Sequence, residues 1–178
     1  MKKIVISICF LCSSFFTFAE NLQAEVVFER AIWQKSVSEK AGPKVRFKNI
    51  DTLRLKADKK NPTKLRIITT LKNTGKEPVI GTILRYAFYF RIINIGDETQ
   101  KPFWDIPFAL EERRVSIIKP MRSKEVKTAS VVLTNYLQRL ENAGFLIDAV
   151  KAKVMVEPKK GDKLQDNTTE SVIEVIYD

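Results

Sequence analysis

The sequence contains no histidine, and its only two cysteines, Cys9 and Cys12, lie close to the N-terminus. Without histidine the chain cannot form a Ser-His-Asp triad, a Cys-His pair, a histidine-ligated zinc site or an HExxH metalloprotease site. Removal of the N-terminal segment, argued below, would also exclude thiol nucleophiles and four-cysteine zinc sites. These absences argue against the common hydrolytic and metal-dependent activities.

Glycine is scarce as well, with six residues in a chain of 178, and no glycine-rich phosphate-binding loop is present. The loop 157–170 has oxygen ligands suited to Ca²⁺ in Asp162, Asp166, Asn167 and Glu170. Three lysines in the same loop oppose a bound cation. We therefore expect no metal site, no nucleotide site and no other cofactor, and a protein that is not an enzyme.

The first nineteen residues have the pattern of a secretory signal peptide. Lys2 and Lys3 precede an apolar run from Ile4 to Phe16, and small residues follow at Thr17 and Ala19. The run is too short for a membrane span. We predict cleavage after Ala19 and a periplasmic or secreted protein with no transmembrane segment after signal removal; the alternative is a retained membrane anchor. The mature chain would then have no cysteine and no disulfide.

The charge balance is strongly basic, with a formal net charge of +10 from 31 basic and 21 acidic residues. Loss of Lys2 and Lys3 with the signal lowers the net charge to about +8. Such a surface suits anionic lipid, polysaccharide or nucleic acid, although a soluble basic surface is the simplest interpretation. Because the chain is predicted to be exported, we expect no nucleic acid among its partners.

The segment 65–90 contains two strand patterns separated by a polar stretch. Residues 65–72 alternate with many β-branched side chains, which indicates a half-buried strand. Asn73, Gly75 and Pro78 then favour a turn. The following run, 79–95, is apolar at its even positions and is predicted to be one long strand, bent or bulged near Gly81. We therefore predict a loop between two antiparallel strands.

Other strand patterns and one helix pattern complete the chain. The remaining strands are predicted at residues 25–33, 44–55, 110–120, 124–133, 145–157 and 170–178. The helix is predicted at 135–143, with Asn135 as its N-cap and Gly144 as its stop.

Seven to eight strands with one short helix near 135–143 predict an all-β, two-sheet antiparallel β-sandwich. The predicted organisation is a cleaved signal peptide at 1–19, an N-terminal strand and linker at 20–43, and the sandwich at 44–178.

Two stretches resemble bacterial extracytoplasmic immunoglobulin-like domains. The stretch "LRIITTLKNTGKEPVIGTILRYAFYF" is similar to their central strand pair, and "IIKPMRSKEV" to a later turn. Met121 departs from the pattern, because such domains often have glycine there. The resemblance implies an immunoglobulin-like fold and a binding or scaffolding role, since this fold supports many unrelated functions.

The stretch "KPFWDIPF", residues 101–108, concentrates aromatic side chains between two prolines, which favours a sheet edge or a loop. Basic residues follow shortly after it. Large aromatic residues and arginine are favoured at protein interfaces. The predicted partner-binding residues are Phe103, Trp104, Phe108, Arg113 and Arg114. The alternative is that the aromatic residues cover one end of the sandwich.

The expected function is that of an exported non-catalytic module that recognises a protein partner or an envelope component. One alternative is a subunit of a secretion, pilus or adhesion assembly whose edge accepts a partner's strand. Another is a small hydrolase of envelope polymers that uses two carboxylates. Glu111 and Glu112 are weak candidates for the hydrolase, because neighbours on a strand point to opposite faces. The sequence does not predict the oligomeric state.

Overall fold

The computed structural model describes residues 26–37, 45–55, 63–97, 99–158 and 167–177. The predicted signal peptide and most of the loop 157–170, with Asp162 and Asp166, lie outside the described residues. The signal peptide and its cleavage after Ala19 therefore stay predictions.

Eleven strands and one helix make up the part of the chain that the structure describes. The strands are β1 (Val26–Val37), β2 (Arg46–Ile50), β3 (Thr52–Leu55), β4 (Lys64–Asn73), β5 (Val79–Asn94), β6 (Phe103–Trp104), β7 (Ala109–Ile118), β8 (Ser123–Lys127), β9 (Val131–Val132), β10 (Phe145–Val156) and β11 (Thr168–Tyr177). The helix is α1 (Thr134–Asn142). The count exceeds the seven to eight predicted strands because the predicted runs 44–55 and 124–133 are each split in two and Phe103–Trp104 forms an additional short strand.

The strands form two sheets that enclose one hydrophobic core. Sheet A has the order β2-β1-β4-β8, with β9 also paired to β4. Sheet B has the order β3-β11-β10-β5-β6, with β7 also paired to β5. All pairs are antiparallel except β3 with β11. The predicted all-β immunoglobulin-like sandwich is confirmed as a fold.

The long strand β5 supplies much of the core from sheet B. Its buried side chains are Leu84, Tyr86, Phe88, Phe90 and Ile92, as the alternation predicts.

The buried face of β5 changes at Gly81. Val79 is buried whereas Ile80 is 72% exposed, the reverse of the prediction for Ile80. Gly81 has a φ of +71°, which glycine adopts without steric cost. The register with β7 is the same before and after Gly81, so this is a bend and not a bulge.

Several connections cross from one sheet to the other. The predicted strand 44–55 is split at Asp51, with β2 in sheet A and β3 in sheet B. The loop after Asn73 likewise connects β4 in sheet A to β5 in sheet B. The prediction that these two strands pair with each other is therefore wrong.

Asn73 explains how the chain turns between the sheets. Its side-chain Oδ1 accepts a hydrogen bond from the Gly75 amide at 2.8 Å. Its Nδ2 donates to the carbonyl of Glu77 at 2.7 Å and to that of Ile118 at 3.1 Å. Because Ile118 belongs to β7, one buried amide side chain caps the loop and links the end of β4 to sheet B.

The helix α1 differs from its prediction at its N-terminus. Its N-cap is Leu133, which makes no side-chain capping hydrogen bond, so the predicted Asn135 cap is wrong. Leu133 is fully buried, and its packing outweighs the loss of a polar cap. Gly144, with a φ of +83°, donates its amide to the carbonyl of Glu141 and ends the helix as predicted.

Candidate partner-binding surface

The segment Phe103–Phe108, here called the aromatic segment, runs beside residues 88–92 of β5. Trp104 is paired with Arg91 in the sheet register. The amide of Asp105 donates to the carbonyl of Phe90 at 3.0 Å, and that of Phe108 donates to the carbonyl of Phe88 at 2.9 Å. The flanking prolines cannot donate backbone hydrogen bonds, which limits β6 to two residues. The segment is thus held in place without being a regular strand.

Phe108 points away from solvent and packs against the core. Its ring stacks on that of Phe90 with the ring centroids 3.8 Å apart, and it lies 5.3 Å from the ring of Tyr136. Tyr136 belongs to α1, so these rings join the helix to sheet B. Phe108 therefore packs against the core, in line with the alternative prediction that the aromatic residues cover one end of the sandwich.

Trp104 is half-buried on the outer face of sheet B, as its prolines and neighbouring aspartate predict. The Nζ atom of Lys151 lies 4.5 Å from the centroid of its ring, and the guanidinium carbon of Arg91 lies 5.7 Å from it. Lys151 is also 5.2 Å from the ring centroid of Tyr89. Both cations are attracted to the π face of the indole, which fixes the orientation of Trp104.

Carboxylates hold these two cations in turn. Arg91 Nε donates to Asp148 Oδ1 at 2.7 Å, and its Nη2 donates to Glu174 Oε2 at 3.2 Å. The hydrogen bond to Asp148 is the main cause of the raised pKa of Arg91. Lys151 Nζ lies 3.5 Å from Glu170 Oε2. The indole is therefore supported by two cations that are themselves paired.

Asp148 reaches Arg91 because β10 is irregular at this point. The register between β10 and β5 shifts between Ile147 and Ala149, so Asp148 is the extra residue of a bulge. A bulge redirects the side chain of the residue that it contains. In the sequence Asp148 is the one charged residue among the otherwise apolar even positions 146–156, so the alternation is interrupted where the bulge lies.

Two apolar side chains of the aromatic segment face solvent. Phe103 is 40% exposed and Ile106 is 77% exposed. Backbone hydrogen bonds to β5 hold the segment that carries them. The neighbouring side chains of Trp104 and Phe108 are held by contacts with Lys151 and Phe90. An ordered apolar protrusion of this kind loses little conformational entropy when a partner covers it.

The two arginines predicted for the same site lie elsewhere. Arg113 and Arg114 are paired in register with Leu84 and Ile83, whereas Trp104 is paired with Arg91. That separation of seven residues for Arg113 and eight for Arg114 corresponds to roughly 23–26 Å along β5 at about 3.3 Å per residue. Arg113 is half-buried on the inner face of sheet B, where its Nε contacts Glu111. Arg114 is exposed on the outer face of the same sheet. The five predicted residues are therefore not on one surface, and their role in binding stays a prediction.

A cleft of about 410 Å³ lies between β7 and residues 129–131. Glu111 and Glu112 both border the cleft, yet each has a partner. Glu111 Oε1 accepts a hydrogen bond from the Ala129 amide at 2.8 Å, and Glu112 Oε2 lies 3.5 Å from Arg85 Nε. Within the described ranges no three histidine, cysteine, aspartate or glutamate residues are placed to hold a metal ion.

The residues of this surface that were not predicted as site residues include Tyr89, Arg91, Ile106 and Lys151. Tyr89 belongs to the mixed face of β5 and is visible in the alternation, but Lys151 becomes its neighbour only through the pairing of β10 with β5. Ile106 could have been found as an apolar residue between two prolines. Separately, no helix among the described residues is long and apolar enough to cross a membrane.

Comparisons with known proteins do not assign a function to this chain. No protein-family model matches the sequence, and no curated protein matches it at a significant level. An immunoglobulin-like protein from Pseudomonas aeruginosa is 11% identical, with 87% of this chain and 99% of that chain covered and a TM-score of 0.35.

A β-glucosidase from Erythrobacter marinus is 12% identical, with 85% of this chain covered and a TM-score of 0.38. This chain spans only 15% of the length of that enzyme. The description of this chain as an immunoglobulin-like β-sandwich rests on its own two sheets.

Proposed function

We propose that the chain is an exported, non-catalytic module that binds a protein partner through the aromatic segment. The observation that carries the proposal is the pair of exposed apolar side chains, Phe103 and Ile106, on a backbone held by hydrogen bonds to β5. Protein interfaces concentrate their binding energy in a few ordered, mainly apolar or aromatic residues surrounded by polar ones.

A protein partner fits this surface better than a sugar polymer. Stacking on a sugar ring requires an open aromatic face, and the cations of Lys151 and Arg91 lie close to the ring of Trp104. Ile106, the most exposed side chain of the segment, is aliphatic and suits an apolar pocket on a protein. The surrounding paired charges would form the polar rim of such an interface.

The non-catalytic part of the proposal is supported by two features. The chain has no histidine. Glu111 and Glu112, the carboxylates weighed for a hydrolase, are each paired. A hydrolase of the predicted kind needs one carboxylate available as an acid and one as a base or nucleophile.

The test compares three forms of the exported protein as bait in native envelope extract: the wild type, a Phe103→Ala/Ile106→Ala variant and an Ile80→Ala control. Ile80 matches Ile106 in exposure but lies at the other end of β5. A captured protein is identified, purified and titrated against each form. We expect the double variant to bind about tenfold or more weakly, equivalent to at least about 1.4 kcal/mol, with an unchanged melting temperature.

Two outcomes would reject the proposal. Equal affinity of the wild type and the double variant would remove the aromatic segment from the interface. An affinity that falls steeply with added salt but is insensitive to both variants would assign binding to the basic surface instead.

A further inference from the structure

Strand β7 forms an edge of sheet B. It is ten residues long and pairs with β5 along one side, from Phe88 opposite Ala109 to Val79 opposite Ile118. On its other side no strand of the described residues is paired with it. A typical strand has about 5–6 residues, so this is a long edge with a row of unpaired backbone donors and acceptors.

The outer face of β7 carries an apolar, an acidic and a basic side chain in succession. Leu110, Glu112 and Arg114 are all exposed on the outer face of the sheet, and Leu110 is 74% exposed. In an antiparallel pair, residues directly opposite each other have their side chains on the same face. A twofold axis through Arg113 would therefore place Glu112 of each copy opposite Arg114 of the other. The edge is complementary to itself.

We propose that β7 pairs antiparallel with β7 of a second copy of this chain, which joins two copies of sheet B into one continuous sheet. The arrangement is isologous, since each copy offers the same residues to the other. It does not depend on the proposed function, because the pairing uses the backbone and side chains of β7 and not the side chains of Phe103 and Ile106.

The charges around β7 are compatible with this pairing. Glu112 lies 3.5 Å from Arg85, but Arg85 also has Glu157 at 3.1 Å, so Glu112 can turn to a new partner without leaving Arg85 unpaired. Arg114 makes no ion pair with any residue that the structure describes. On the inner face, each Arg113 would face its counterpart while bound to its own Glu111, which neutralises the two like charges.

Charged edges also occur where strands must be kept apart, as do charged residues that point inward from an edge. An edge that carries charges of one sign keeps two copies apart by repulsion. Here the outer face carries one negative and one positive residue at symmetric positions, and Leu110 beside them adds apolar area. The pattern therefore favours pairing of two copies over mutual exclusion.

The experiment measures the mass of the purified exported protein in solution by sedimentation or light scattering, over a range of protein concentrations. We expect a concentration-dependent dimer for the wild type. Glu112→Arg or Arg114→Glu alone places like charges opposite each other at two positions, and each should weaken dimerisation by about tenfold or more. The Glu112→Arg/Arg114→Glu double variant restores opposite charges and should restore the dimer.

Mixing the two single variants provides an independent test. In their heterodimer, the copy with Glu112→Arg offers two arginines at these positions and the copy with Arg114→Glu offers two glutamates. Opposite charges then meet at both positions, so a mixture should dimerise although each variant alone does not. Lys48→Glu, on β2 in sheet A, alters charge as Arg114→Glu does and serves as the control. Melting temperatures show whether each variant is folded.

A wild-type protein that stays monomeric at the highest concentration overturns the proposal, because β7 then does not pair with a second copy. A dimer that both single charge reversals leave unchanged also overturns it, because it would form through another surface. A mixture of the single variants that remains monomeric rejects the antiparallel register centred on Arg113.

Discussion

The hydroxyl group of Tyr86 lies between the two sheets, where only 1% of the residue is exposed. Burial raises the pKa of Tyr86 to about 12, because the tyrosinate anion would lose its hydration. The Thr69 hydroxyl acts in the opposite direction, yet neither hydroxyl has a partner in hydrogen-bonding geometry within the described residues. The neutral form of Tyr86 is therefore the form that the core accepts.

Tyr86 should make the fold sensitive to alkali. The folded chain keeps the phenolic proton up to pH about 12, whereas the unfolded chain releases it near pH 10, so the stability contributed by the raised pKa is present below pH 10 and is lost as pH rises to 12. The loss amounts to about 2–3 kcal/mol. Urea unfolding of wild type and Tyr86→Phe across this range should show a steeper fall for the wild type.

At neutral pH the same substitution should cost little, since it removes a hydroxyl group that has no partner among the described residues. A loss of more than about 1 kcal/mol in Tyr86→Phe would show that the hydroxyl is hydrogen-bonded in solution.

Met121 occupies a backbone position that favours glycine. Its φ is +54°, and its side chain is 63% exposed in the turn between β7 and β8. The sequence indicates this position, because the immunoglobulin-like turns that this stretch resembles often have glycine there. The left-handed conformation strains a residue with a Cβ atom, and the β-branched residues most of all.

We expect Met121→Gly to leave the free energy of unfolding unchanged or to raise it by up to about 1 kcal/mol, because relief of strain is offset by the greater freedom of glycine in the unfolded chain. Met121→Val should lower it by about 1–2 kcal/mol. Thermal unfolding of both variants is the measurement. A valine variant as stable as the wild type would mean that the turn adopts a different backbone conformation.

At the scale of elements, the aromatic segment combines a packing residue with exposed ones. Phe108→Ala should lower the free energy of unfolding by about 2–4 kcal/mol, since it removes the ring stacked on Phe90 and next to Tyr136. Phe103→Ala should change it by less than about 0.5 kcal/mol. Chemical denaturation distinguishes the two. Equal losses would place Phe103 in the core as well.

Element positions were predictable from the sequence where turn-forming residues bound a predicted strand. Strands β4, β5, β7 and β10 begin and end within about two residues of their predicted limits, because proline, glycine or asparagine lies close to each end. The helix start was not predictable from its polar residues, since Leu133 is held by burial and not by capping. The bulge in β10 coincides with a break in the alternation, since Asp148 is a charged residue at an otherwise apolar even position, but it was not predicted from that break.

At the scale of the whole molecule, the sandwich could be predicted but the distribution of strands between its sheets could not. A hydrophobic pattern shows which face of a strand is buried, and it does not show which strand lies beside it. For that reason β4 and β5 were predicted as partners although the loop after Asn73 carries the chain across the core. The five predicted site residues were separated for a related reason, since nearness in sequence becomes distance along an extended strand.

The parallel pairing of β3 with β11 links Leu53 to Val175, residues that are far apart in the sequence. Sheet B therefore cannot be completed until β11 has been synthesised. Pairing across so long a separation also closes slowly, because the loop entropy is lost before the contacts are gained. A nascent chain that still lacks β11 therefore cannot complete sheet B, and an incomplete fold is the state that passage through a translocation pore in the proposed export would require.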